Sequence, residues 1–156
     1  MIFQILLALS LQLPSIPEPP MVVVNMPRLI AESVAGKAAT AQLRAFQAEK
    51  QKVISERMAE LDKLNQTKAL RAQIERAELE LQRLGQDAET ELAALNRQVQ
   101  EEFEKKLRPV VAQIAEEDHI GVIFHYPQVL ITWVAPSVDI TAKVIERLDA
   151  ALKETK

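Results

Sequence analysis

Between Arg28 and Asp118 the chain runs for about ninety residues with almost nothing able to end a helix, while short β-branched runs flank it, Val22-Val23-Val24 before and Val129-Leu130-Ile131 after. A compact domain does not spend most of its length connecting two strands, so the long segment is an element in its own right. One uninterrupted helix of that length would reach about 135 Å and leave the strands at opposite ends. A hairpin brings them back together. Asn65-Gln66-Thr67 is the best place for its turn, because Asn tolerates the left-handed C-cap conformation and Thr is a good N-cap for the returning helix. The uninterrupted helix is the alternative.

The first helix is expected over Leu29 to Leu64, Ala-rich at its start, with Gly36 a weak point that does not break it. Its apolar stripe is irregular: Leu43, Phe46, Val53, Ile54, Met58, Leu61 and Leu64. The second helix, about Lys68 to Asp118, is strictly periodic. Leu70, Leu81, Leu92, Phe103 and Ile114 recur every eleven residues, as do Ala77, Ala88, Val99 and Val110. Eleven residues in three turns favour a nearly straight or weakly right-handed supercoil. Gly85 falls between stripe positions and marks close approach or mild flexibility, and Pro109 predicts a fixed kink where the arm joins the body.

Outside the helices, Met21 to Met26 reads as a buried strand, with Pro27 suited to a helix start. Val122 to Tyr126 and Val129 to Val134 read as a hairpin turned at Pro127-Gln128. Asp139 is the expected N-cap of a last amphipathic helix carrying Val144, Ile145, Leu148 and Leu152. The fold class is therefore mostly α with a small β body. Residues 21–156 form one domain, its body at 21–42 and 107–156 and its helical arm at 43–106. Three short strands and one helix make a body too small to bury all its apolar positions, which favours oligomerisation. Val22, Val24, Ile123, Phe124, Leu130 and Trp133 are the candidate subunit interface.

Residues 1–20 are expected to be a signal peptide and Pro-rich lead-in. Met1 to Leu13 is an apolar run too short to span a membrane and similar to a signal-peptide core, although no Lys or Arg precedes it. The absence of cysteine rules out disulfides and thiolate chemistry. The net charge of −3 predicts no nucleic-acid partner.

No catalytic constellation is present, so an enzyme is not expected. His119 and His125, the two histidines, form no ligand cluster, and no Gly-rich phosphate loop exists. No cofactor or metal is expected. The arm's charge is uneven. Lys63, Lys68, Arg71 and Arg76 stand against Glu75 alone near the tip, whereas two basic residues meet eight acidic ones from 77 to 104. Acidic positions are expected to pair in part with Arg44, Lys50, Lys52 and Arg57 across the hairpin.

Four stretches carry a family likeness: Val24-Asn25-Met26-Pro27-Arg28-Leu29-Ile30-Ala31-Glu32-Ser33, Ala35-Gly36-Lys37-Ala38-Ala39, Leu107-Arg108-Pro109-Val110-Val111-Ala112-Gln113-Ile114-Ala115 and Asp139-Ile140-Thr141. In this order around a coiled-coil insert, the chain resembles the Skp/OmpH family of periplasmic chaperones from about Met21 to Leu152. The resemblance implies a homotrimer with three helical tentacles around a cavity, holding unfolded outer-membrane proteins in the periplasm without ATP. Phe46, Ile54 and Met58 are the candidate client-binding residues, since a two-helix seam does not need them all. The basic tip suits acidic clients or an anionic membrane surface. The rival readings are a coiled-coil scaffold with fixed partners and a prefoldin-like chaperone. The latter places its strands between helices, the reverse of this order.

Overall fold

The computed structural model describes residues 20–126 and 133–154. Strand β1, Met21–Asn25, leads into helix α1, Met26–Glu32. Asn25 caps α1: its side-chain oxygen accepts from the Arg28 N–H at 3.1 Å. Pro27 occupies the first turn, where its missing N–H leaves no bond unmade.

The expected single first helix is two helices. Ser33 leaves helical geometry at φ −70°, ψ 151°, ending α1 and opening α2, Val34–Gln66. Its hydroxyl accepts from the Gly36 N–H at 3.1 Å. The second cap comes from far away: Asp149 Oδ1 accepts from the Val34 N–H at 2.8 Å. Gly36 is the packing point of this corner and not a weak point, because a Cβ there would lie 2.2 Å from the Ile30 carbonyl oxygen.

The hairpin is present. Helix α3, Arg71–Glu117, returns antiparallel to α2. Thr67 closes α2 and does not start α3; its hydroxyl donates to the Lys63 carbonyl at 2.9 Å. Lys68, not Asn65, takes the left-handed conformation, φ 51°. The Lys68 and Ala69 N–H groups then bond back to Asn65 and Leu64, a Schellman closure. His119, φ 52°, closes α3 in the same way, with Ile120 bonding back to Ala115. Pro109 does not end α3.

Strand β2, Val122–Tyr126, pairs with β1 in parallel, Met21 against Val122 through Asn25 against Tyr126. A parallel pair needs a crossover connection, and here the crossover is the whole helical arm. The far edge of β1 is bridged by Asp139, with Ile140 N–H donating to the Val23 carbonyl. Of the third expected strand, residues 129–132 lie outside the described residues; Trp133 and Val134 have no regular structure. After a 3-10 turn at Pro136–Val138 comes α4, Thr141–Glu154. The Asp139 carboxylate accepts from the Thr141 N–H at 2.9 Å, but Asp139, the expected cap, stands one residue before the cap position, which Ile140 takes by accepting from the Val144 N–H.

One core forms where all these elements meet: Val24 from β1, Leu29 from α1, Ala35 from α2, Phe103, Leu107, Val110 and Ile114 from α3, and Val144 and Leu148 from α4. Burying each larger aliphatic contributes about 1.5–3 kcal/mol. Lys143 and Arg147 fasten α4 to the end of α3 through Asp118 and Glu117, each at 2.6 Å.

Candidate functional site

The arm is built differently from the body. From Lys37 to Gln98 no residue is buried. The stripe exists, but as a shallow seam: Leu43, Phe46, Ile54, Leu61 and Leu64 of α2 and Leu81, Ala88, Leu92 and Leu95 of α3 are all half-buried. Two helices alone cannot enclose a side chain on every side, so each stripe residue keeps one edge in solvent.

Phe46 and Ile54 line a depression in this seam together with Gly85, Ala88 and Leu92. Met58 sits apart from it, 51% exposed. Lys50 spans the rim. Its Nζ lies 2.6 Å from Glu91 Oε2 and 5.2 Å from the centre of the Phe46 ring. The bond to Glu91 raises the Lys50 pKa. Toward the tip, Arg57 reaches Glu60 in its own helix at 2.8 Å and Glu80 across the seam at 3.4 Å. Lys50 and Arg57 therefore pair across the hairpin as expected, while Lys52 pairs within α2, with Glu56. These pairs are open to solvent and fix register more than they stabilise.

The hairpin gathers the basic residues at its end. Lys63 is in the last turn of α2, Lys68 in the connection and Arg71 at the start of α3. Arg76 lines a depression with Arg57, Leu64 and Leu81. Arg71 is partly neutralised by Glu75 at 2.9 Å. Leu70 stands among them, 73% exposed, because the stripe outruns the helix by one residue.

The expected interface residues separate into three groups. Val22 and Val24 are buried in this chain's own core, Val24 to 1% exposure, which leaves them no surface for a neighbour. Ile123 also packs against that core, and Phe124 is half-buried. Trp133 is 78% exposed, and Leu130 lies outside the described residues. Strand alternation puts Met21, Val23, Val122 and Phe124 on the sheet face away from the core. Met21 and Val122 are exposed there.

Sequence reasoning placed Met21 and Val122 in strands and Leu70 in the stripe, and gave Leu79 no role; all four are exposed. Leu79 carried a signal, being apolar but off the eleven-residue stripe. Among the described residues no cluster of His, Cys, Asp or Glu could hold a metal, and no helix is long and apolar enough to cross a membrane.

No curated protein matches the chain significantly. A solved structure with a similar fold is that of a candidate outer membrane chaperone (OmpH-like) from Caulobacter crescentus CB15. It is 20% identical, with 86% of each chain covered and a TM-score of 0.53. The family model for outer membrane protein (OmpH-like) matches residues 20–148, nearly the whole described chain. The chain belongs to the OmpH-like family.

Proposed function

We propose that this protein is an exported, homotrimeric, ATP-independent holdase for unfolded outer-membrane β-barrel proteins in the periplasm. The observation that carries this reading is the arm, a helical hairpin whose whole apolar seam keeps one edge open to solvent from residue 37 to 98. Barrel precursors expose apolar side chains and unpaired strand edges, and they pair their strands slowly. A shallow seam on each of several arms offers many weak grips, which shield such a chain without trapping it. Phe46 and Ile54 supply apolar surface within the seam. Met58 supplies an exposed, unbranched and adaptable side chain. The outer sheet face, with Met21 and Val122, and the exposed Trp133 supply apolar surface for assembly. The basic tip steers acidic segments or an anionic membrane surface toward the arms.

The test is aggregation of a denatured β-barrel protein, followed by scattering with and without this chain and with and without ATP. Suppression that is indifferent to ATP supports the reading. Unchanged aggregation at molar excess of the chain removes it and favours a scaffold with fixed partners.

A further inference from the structure

Gly85 lies mid-helix in α3, where glycine destabilises relative to alanine. Glycine is normally kept at such a place for a positive φ or a close approach. Neither applies here. Gly85 has no left-handed backbone, and an added Cβ would meet nothing within 4 Å. Instead it borders an open depression of about 550 Å³, which it shares with Phe46, Ile54, Ala88 and Leu92. The cross-arm pairs Arg57–Glu80 and Lys50–Glu91 flank it along α3. The seam is thus tied on both sides of Gly85, a position of low helix propensity where an added Cβ would meet nothing within 4 Å.

We propose that Gly85 is a soft point that lets the middle of the arm part and re-close around an apolar segment of an unfolded chain. This rests on the holdase reading and adds where the arm yields. The test uses the full chain carrying Gly85→Ala or Gly85→Leu. The Cβ that each adds meets nothing within 4 Å, and both raise helix propensity. Asn96→Ala is the control: it lies eleven residues further along α3, is exposed, and raises propensity away from the depression. Amide exchange and capture of a urea-denatured eight-stranded β-barrel are measured together.

Gly85→Ala should slow exchange over residues 81–92 about fivefold and weaken capture by a similar factor, with Gly85→Leu slightly weaker in both. Asn96→Ala should leave capture unchanged. Exchange slowed with capture intact would overturn the proposal, as would exchange unaltered at Gly85, or equal loss of capture in the control. If the unsubstituted chain captures nothing, the holdase reading fails, and with it the proposed use of the soft point; the exchange result then reports only whether the helix is locally weak.

Discussion

Two residues sit in left-handed backbone without being glycine, Lys68 at the arm's turn and His119 after α3. Side chains disfavour that conformation by about 1–2 kcal/mol, partly offset by the greater freedom glycine has when unfolded. Lys68→Gly and His119→Gly should each stabilise by about 0.5–1 kcal/mol, read as a higher midpoint in thermal unfolding. Gly36 should behave oppositely. A Cβ there would press on the Ile30 backbone, so Gly36→Ala should destabilise by about 1–3 kcal/mol, seen as a lower denaturant midpoint. Sequence alone read Gly36 by its helix propensity, the only property visible without knowing that α1 crosses it.

At the scale of elements, legibility followed locality. The eleven-residue stripe of α3 needs only its own spacing, and its burial grades from the half-buried Leu81 and Leu92 to the buried Phe103 and Ile114 as α3 enters the body. The hairpin turn was legible to within a few residues, although Thr67 caps the helix before it and not the one after. The break at Ser33 was hidden because half of its chemistry is remote. α2 has no acidic residue in its first turn, and Asp149 supplies that charge from α4. Asp149→Ala should therefore destabilise by about 1 kcal/mol, and Asp149→Asn by less, in thermal unfolding. Of the three residues proposed to bind clients, sequence could not distinguish the seam positions Phe46 and Ile54 from the outward Met58, since the α2 stripe is too irregular to fix its phase.

Over the whole molecule, the antiparallel arm makes the parallel β1–β2 pair possible, and the pair in turn anchors both ends of the arm. The interface candidates were legible as apolar but not as inward or outward. Alternation fixes two faces, and only packing by α1 and α4 decides that Val22 and Val24 face inward. Charge on the arm acts at this scale too. Reversing Lys63, Lys68 and Arg71 together should slow client capture at low salt and matter less at high salt, in stopped-flow measurements of association. On the proposed holdase reading, arm length bounds what can be held: α2, with 33 residues, extends about 50 Å.

The most direct test of a trimeric holdase is the native mass spectrum of the chain mixed with an unfolded eight-stranded β-barrel in the absence of nucleotide. A trimeric holdase gives a complex of three copies with one client, and more trimers per client for a sixteen-stranded barrel. Free monomer alongside unbound client would contradict it.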